Sequence, residues 1–166
     1  GGGEYGNATL SRFPILDTKN IDLSLPLKKR RSVLYAKVRT QGETSSRTIH
    51  LYNLHLGLSG YERKRQLKKF QDSEPFIAFH PKTPVIVAGD FNDLWSSLGK
   101  ELVPAGFRSM PRAINTFPAI APVRPLDSIF VRGEISLDEV RRSRLSLAKK
   151  ASDHLPLIAK LEILES

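Results

Sequence analysis

The sequence predicts an α/β (α+β) fold, a sandwich with mixed sheets in which strands outnumber helices. Residues 32–40 alternate between two sets of side chains with the period of a strand. Residues 85–88 are all apolar, which is typical of a strand buried in the centre of a sheet. Ser59 and Glu62 have the spacing of a capping box, which predicts a helix from there through Phe70 and beyond.

The remaining elements follow from shorter local patterns. Residues 41–46 are rich in turn formers. Residues 134–147 lack a clean helical stripe, and this favours a strand. The other expected elements are strands at residues 7–13 (ended by Pro14), 47–56, 126–131 and 155–163, and a short helix around residues 97–103 with Gly106 just past its end.

Length and composition fit one globular domain over residues 1–166. The chain has 166 residues, of which 40% are apolar and 26% are charged, and a domain of this size can bury a sizeable core. These values exclude a disordered tail, a collagen-like fibre and a coiled coil. The absence of cysteine excludes disulfides, thiolate zinc sites and cysteine nucleophiles. No apolar run is long enough to span a bilayer.

The chain is strongly basic. Its 26 basic and 17 acidic residues give a formal net charge of +9. Such a surface attracts polyanions, either nucleic acid or anionic phospholipid, although excess lysine also serves solubility alone. The basic runs at residues 28–31 and 141–144 are candidates to follow a nucleic-acid backbone or to contact anionic phospholipid, and solvated loops are the alternative.

The start of the chain carries no initiator methionine. It reads Gly1-Gly2-Gly3, and no signal-peptide pattern follows. We expect this start to be a boundary within a longer chain or a processing site. A cytoplasmic location is the expectation for a sequence without secretory or transmembrane patterns.

Polar residues follow the apolar strand at residues 85–88. Asp90 and Asn92 lie two positions apart after Gly89, so in an extended chain their side chains point to the same side. Hard divalent cations favour such oxygen ligands, and the Asn92 amide can donate to a phosphate oxygen. The alternative is an ordinary turn, since Gly, Asp and Asn are common turn residues.

Four further polar residues lie at or near strand ends. Asp127 lies within an apolar strand, where a buried carboxylate needs a cation or a histidine as its partner. His55 ends one strand, and Asp153 and His154 precede the last one. His154 has the chemistry to move a proton near neutral pH, and Asp153 to hold a metal or orient a neighbour. Each alone is compatible with a structural role, but the set suits metal-assisted phosphoryl chemistry.

The order of these motifs resembles that of the endonuclease/exonuclease/phosphatase superfamily, which has a deoxyribonuclease-I-like fold. Gly-Asp-Phe-Asn at residues 89–92, followed at a distance by Ser-Asp-His at residues 152–154, is the specific signal. The resemblance implies a four-layer α/β sandwich with two packed mixed β-sheets, and hydrolysis of phosphoester bonds with Mg²⁺ or Mn²⁺. The matching blocks cover nearly the whole chain, at residues 6–15, 53–56, 87–92, 125–131 and 152–157.

Carried over position by position, the resemblance implies a role for each polar residue. His55 would contact the scissile phosphate and help to protonate the leaving group. Asp90 would orient or deprotonate the attacking water, and Asn92 would hold a phosphate oxygen. His154 would bind phosphate or act in acid–base transfer, with Asp127 fixing its tautomer.

The same resemblance implies a metal site to which this chain supplies Asp153 and Asp90. Family members carry an earlier segment with an asparagine and a glutamate that is a main metal ligand, and this chain begins after it. Glu4 lies in a different context and is not assigned that role. We therefore expect the C-terminal two-thirds of the family domain, with one sheet incomplete at the N-terminus, an exposed sheet edge and weak metal binding.

Three functional hypotheses result. The first is a divalent-metal-dependent phosphodiesterase that acts on DNA or RNA. The second keeps the fold but makes the protein a phosphatase or phosphodiesterase for phospholipid or inositol phosphate. The third is an inactive fragment or a non-catalytic binding domain, because the metal-binding glutamate segment is absent.

Overall fold

The computed structural model describes residues 6–41, 46–95, 97–110 and 112–164. Within these ranges it contains two β-sheets, three α-helices and two 3₁₀ turns. The strands are β1 (Ile15–Asp22), β2 (Ser32–Gln41), β3 (Ser46–His55), β4 (Val85–Asp90), β5 (Asp127–Arg132), β6 (Ile135–Arg142) and β7 (Leu157–Ile163). The helices are α1 (Gly60–Gln71), α2 (Gly99–Leu102) and α3 (Ser146–Ala151), and the 3₁₀ turns are Phe76–Ala78 and Val103–Ala105.

The larger sheet contains five strands in the order β1-β2-β3-β4-β5. Its neighbouring strands are antiparallel except for β3 and β4, which are parallel and are connected through α1. The second sheet is the antiparallel pair of β6 and β7. The predicted α/β class with two sheets is therefore confirmed, and the larger sheet is the mixed one.

Apolar side chains cover both faces of the larger sheet. One cluster joins β4 to α1, and a second joins β4 and β5 to the small sheet. Since successive side chains of a strand point to opposite faces, β4 needs apolar residues at successive positions of residues 85–87 to serve both clusters. The first cluster includes Val85, Val87, Leu67 and Phe70, and the second includes Ile86, Val131, Ile135, Leu137 and Leu161.

Helix α1 begins as the sequence predicts. The Ser59 hydroxyl accepts a hydrogen bond from the Glu62 backbone N–H at 3.2 Å, and the Glu62 carboxylate accepts one from the Ser59 N–H at 3.0 Å. Further along the helix, the buried Gln66 side chain accepts from the Gly57 N–H at 2.7 Å. This last bond ties the helix to the loop that follows β3.

The predicted strand at residues 7–13 is wrong. This segment follows an irregular path, in which the Ala8 carbonyl accepts a hydrogen bond from the Asn53 amide at 2.7 Å. The strand lies further along the chain, as β1, at the edge of the sheet. Only Ile21 of β1 is buried, so the strand lacks the alternation by which a half-buried strand is recognised.

The expected strand at residues 134–147 is confirmed only in its first part, as β6. Helix α3 follows it, and because none of its residues is buried the sequence carries no apolar stripe. The helix expected around residues 97–103 is α2 with the 3₁₀ turn after it, and Gly106 ends it with a left-handed φ of 85°. The other expected strands are confirmed as β2, β3, β4, β5 and β7. Of the turn-rich residues 41–46, residues 42–45 lie outside the described part of the chain.

No helix of the described residues has the length and hydropathy needed to cross a bilayer. The cytoplasmic location stays a prediction. The single domain over residues 1–166 and the longer chain expected before Gly1 stay predictions as well.

Replacement of Gly89 by alanine tests how closely β3 and β4 approach. Gly89 has φ 141°, and an added Cβ would lie 2.0 Å from the Leu54 carbonyl oxygen, which is a backbone atom that cannot move aside. We expect Gly89→Ala to cost at least about 2 kcal/mol and to lower Tm by roughly 4–8 °C in thermal unfolding. Gly99→Ala is the control, because its added Cβ meets nothing within 4 Å. Equal Tm values for the two variants would contradict this account.

Candidate active site

Three strands of the larger sheet bring polar residues to the same edge. His55 is the last residue of β3, Asp90 is the last of β4 and Asp127 is the first of β5. The strand register pairs His55 with Asp90 and Asp90 with Asp127. The three residues therefore form a row across the sheet edge.

Asp90 lies in the middle of this row. Its Oδ2 is 3.4 Å from His55 Nε2, and its Oδ1 accepts a hydrogen bond from the Asn92 backbone N–H at 2.8 Å. Burial raises the pKa of Asp90; the Asn92 hydrogen bond opposes this effect, and the nearby charge of Asp127 adds to it. A carboxylate whose pKa is raised is a better proton acceptor than an exposed one.

His55 stays neutral well below neutral pH. Burial lowers the pKa of His55 to about 4, and the positive charges of Arg31 and Lys29 act in the same direction. The contact between His55 and Asp90 therefore joins a neutral imidazole to a carboxylate. It supplies a hydrogen-bonding group at the sheet edge rather than a positive charge.

His154 is paired with Asp127. Its Nδ1 lies 2.7 Å from Asp127 Oδ2, which gives the half-buried Asp127 the histidine partner expected for a carboxylate within an apolar strand. Burial by itself lowers the pKa of His154, but the hydrogen bond and charge of Asp127 and the charges of Asp90 and Asp153 outweigh it and raise the pKa overall. A proton on Nδ1 directed at Asp127 leaves Nε2 as the ring nitrogen for a substrate.

Thr116 is a third residue bonded to Asp127, and it was not among the site residues expected from the sequence. Its hydroxyl donates to Asp127 Oδ2 at 2.5 Å, and its side chain is fully buried. Its carbonyl also accepts from the Leu155 N–H at 2.9 Å, so it fixes the chain next to His154. No local pattern identifies a threonine that acts across 11 positions of sequence; a buried hydroxyl is recognisable only once its partner is known.

Asn92 and Asp93 shape the loop after β4. The Asn92 amide donates to the Leu56 carbonyl at 2.9 Å, and Asn92 adopts a left-handed φ of 50°. The buried Asp93 carboxylate accepts from the Ser97 hydroxyl at 2.9 Å and from the Leu98 N–H at 2.7 Å. The Asn92 side chain therefore stabilises this loop through a hydrogen bond to backbone. The expected alternative, a turn at these residues, is observed, and the contact between Asn92 and phosphate stays a prediction.

The described residues do not assemble a complete metal site. No group of three or more acidic or histidine side chains lies close enough together in residues 6–41, 46–95, 97–110 and 112–164 to hold an ion. Asp153 is exposed, and its carbonyl accepts from the Ala119 N–H at 2.7 Å. The metal-binding role of Asp90 and Asp153 stays a prediction that requires additional ligands.

The basic run at residues 141–144 has neighbours of its own. Arg141 lies 3.4 Å from the Glu139 carboxylate, and the Arg142 guanidinium donates to the Asn115 carbonyl at 3.0 Å. Arg141 and Arg142 are the last residues of β6 rather than part of a loop, and binding of nucleic acid or phospholipid by this run stays a prediction.

Asp127→Asn tests the coupling of Asp127 to His154. The amide removes the negative charge that favours the imidazolium, so we expect the pKa of His154 to fall. An NMR titration of the imidazole resonances measures the change. In the control Asp153→Asn the fall should be smaller, because Asp153 contributes least of the three acids. An unchanged His154 titration in Asp127→Asn would refute the pairing in solution.

The low pKa of His55 predicts a loss of stability in acid. The unfolded chain binds a proton at an ordinary pKa of 6.5, whereas folded His55 does so only at about 4, so stability falls as the pH drops from 6.5 to 4. We expect His55→Gln to reduce this fall in the unfolding free energy by roughly 1–3 kcal/mol, measured by urea unfolding at several pH values. His80→Gln, at an exposed histidine, is the control. The same pH slope in both variants would exclude His55 as the cause.

A family model and a curated relative match this chain. The model of the Endonuclease/Exonuclease/phosphatase family matches residues 1–154. YbhP of Escherichia coli (strain K12), described as an uncharacterized protein, is 34% identical over 167 residues, which cover 97% of this chain and 64% of YbhP. The chain thus spans less than two-thirds of the length of this relative.

Solved structures share the fold at low sequence identity. The endonuclease/exonuclease/phosphatase from Beutenbergia cavernae DSM 12333 superposes with a TM-score of 0.74 at 21% sequence identity. The match covers 93% of this chain and 46% of the Beutenbergia chain. D. rerio TDP2 complexed with single-strand DNA product superposes with a TM-score of 0.68 at 21% sequence identity. This match covers 91% of this chain and 69% of the TDP2 chain. The family model covers more than half of the chain, and it shows that the chain belongs to the endonuclease/exonuclease/phosphatase family.

Proposed function

We propose that residues 1–166 belong to one catalytic domain of a divalent-metal-dependent phosphodiesterase that hydrolyses nucleic acid. The single observation that carries this proposal is the row of His55, Asp90 and Asp127 at one sheet edge, with His154 bonded to Asp127. These carboxylates and imidazoles differ in proton affinity and lie together at this sheet edge. Hydrolysis of a phosphoester needs such a neighbouring acid and base.

The proposed reaction uses Asp90 as the base and His154 as the acid. A water oxygen attacks phosphorus and its proton passes to Asp90, whose pKa is raised by burial. The bond between phosphorus and the leaving oxygen breaks, and that oxygen takes a proton from His154, whose pKa Asp127 raises against the effect of burial. This assignment moves the expected proton donor from His55 to His154. Neutral His55 instead donates a hydrogen bond to a phosphate oxygen, and Asn92 has a second amide hydrogen for the same purpose.

Metal dependence forms part of the same proposal. A bound divalent ion would neutralise charge on the phosphate oxygens. This chain would contribute the Asp90 and Asp153 carboxylates to Mg²⁺ or Mn²⁺, and the described residues supply too few ligands by themselves. The proposal needs at least one further carboxylate ligand, for which the family resemblance implies a glutamate.

Two features support nucleic acid as the substrate class. The net charge of +9 attracts a polyphosphate backbone. The structure of D. rerio TDP2, which has the same fold, contains a single-strand DNA product. Phospholipid and inositol phosphate carry the same reacting group, and an assay has to separate them from nucleic acid.

Plasmid cleavage tests the proposal directly. We expect the product of the complete coding region, including any sequence upstream of Gly1, to nick supercoiled plasmid with Mg²⁺ and to stop when EDTA is added. Asp90→Ala and His154→Ala should each slow nicking by about 10²–10⁴-fold with Tm nearly unchanged, because each removes a proton-transfer group. The control Asp72→Ala removes an exposed carboxylate on the far end of α1 and should cleave at the normal rate.

Other outcomes select the other hypotheses. Phosphate or headgroup release from phosphoinositide vesicles with intact plasmid would replace the nucleic-acid substrate by a lipid. No Mg²⁺ or Mn²⁺ binding in calorimetry, together with no hydrolysis, would make the protein a non-catalytic binding domain. A large loss of Tm in Asp90→Ala and His154→Ala would show that both residues are structural.

A further inference from the structure

Arg31, the residue before β2, is a buried charge whose guanidinium has no hydrogen-bond partner among the described residues. Only 8% of it is exposed, and its Nε and Nη1 atoms make no hydrogen bond within the described residues. The bonds made by Arg31 come from its backbone: its N–H donates to the Ser24 hydroxyl at 3.1 Å and its carbonyl accepts from the Leu23 N–H at 2.8 Å. A guanidinium is always charged, and burying it without an anion is costly.

Other buried polar groups lack partners too, but they differ from Arg31. The Tyr52 hydroxyl and the Gln66 Nε2 are neutral groups. Arg63 leaves its Nε unbonded, but its Nη1 donates to the Leu58 carbonyl at 2.6 Å. Arg63 therefore has a side-chain hydrogen bond to the backbone, whereas no hydrogen bond from the Arg31 guanidinium is found among the described residues.

The charge of Arg31 lowers the pKa of Glu62 and opposes the rise in the pKa of Asp90, but both carboxylates have closer partners. The Glu62 carboxylate caps α1 at the Ser59 N–H and lies 3.8 Å from the Lys28 ammonium. The Asp22 carboxylate accepts from the Ser24 N–H at 2.8 Å, and Asp90 contacts His55 and Asn92. No described carboxylate therefore forms an ion pair with Arg31.

Arg31 lines an open cavity beside the catalytic row. The cavity has a volume of about 690 Å³, and its wall also includes His55, Asn7, Ser24 and Arg30. The volume is that of a site for a small ligand. Asp90, Asp127 and His154 are not part of this wall, so an anion in the cavity is distinct from a phosphate held between Asp90 and His154.

We propose that Arg31 forms an anion subsite that binds a second phosphate group of the substrate, next to the phosphate that is cleaved. The inference rests on the proposed phosphodiesterase function and extends it to substrates with at least two phosphates. A guanidinium binds phosphate through paired N–H donors, and the adjacent Arg30 adds positive charge to the wall. His55 borders both regions and links the two phosphates. The second phosphate belongs either to a nucleic-acid strand or to a phosphorylated headgroup.

Binding of inorganic pyrophosphate tests the subsite without catalysis. With EDTA present, we expect millimolar pyrophosphate to raise the Tm of the wild type by about 3–5 °C, since a ligand stabilises the state that binds it. Arg31→Met should lose this shift, and Arg31→Lys should keep part of it. Lys149→Met, which removes an exposed positive charge from α3, is the control and should keep the full shift.

The ligand-free variants separate binding from structure. Arg31→Met should melt at or above the wild-type temperature, because it removes a buried charge that has no partner. A Tm loss in both Arg31→Met and Arg31→Lys would assign Arg31 a structural role and overturn the proposal. No pyrophosphate shift in the wild type, or an undiminished shift in Arg31→Met, would also overturn it.

Two matched substrate pairs identify the source of the second phosphate. One pair is a thymidine dinucleotide with and without a 5′-phosphate, and the other is glycerophosphoinositol with and without a phosphate on the ring. In one of the pairs the extra phosphate should lower KM by about 10–100-fold in the wild type, with kcat similar, and Arg31→Met should abolish the difference. An equal KM gain in wild type and Arg31→Met would overturn the subsite. If no substrate is hydrolysed, the proposed function fails, and the pyrophosphate titration decides on Arg31 alone.

Discussion

The parallel pairing of β3 with β4 is the constraint on which the candidate site depends. Parallel strands end at the same sheet edge, and antiparallel β5 begins at that edge, so three segments distant in sequence deliver His55, Asp90 and Asp127 in register. Gly89 permits the close approach, because its missing Cβ leaves room for the Leu54 carbonyl. A slip of one residue between these strands would turn every side chain to the opposite face and dismantle the row.

The environment of each histidine, rather than its sequence context, decides its chemistry. His55 lies near cationic Arg31 and Lys29, and with burial this holds its pKa near 4. His154 experiences burial too, but its bond to Asp127 reverses the direction of the shift. Groups whose neighbours push their pKa values apart are suited to different tasks in one reaction. The motif alone assigns both histidines to phosphate contact and proton transfer; only the neighbours divide the tasks between them.

The elements predictable from sequence are those that bury side chains. Strand β4 needs apolar residues for both sheet faces, and the capping box leaves a local pattern at Ser59, so both were predictable. Strand β1 buries one residue, and helix α3 buries none. Neither element therefore shows a periodic pattern of apolar residues in the sequence. The sequence places polar residues at strand ends, and the pairing of neighbouring strands brings these residues together in the row. Asp153 differs, since an exposed residue beyond a helix is not fixed by strand register.

The surroundings of Thr116 and of Arg31 could not be predicted from the sequence, and the physical reason is the same for both. A buried polar group needs a partner, and the local sequence does not say where that partner lies. Asp127 finds its partners within the chain, in Thr116 and His154. Arg31 finds none among the described residues although it lines a cavity next to His55. The cost of burying an unpaired charge explains the Asp127 pair, and at Arg31 the same cost motivates the proposed anion subsite beside His55.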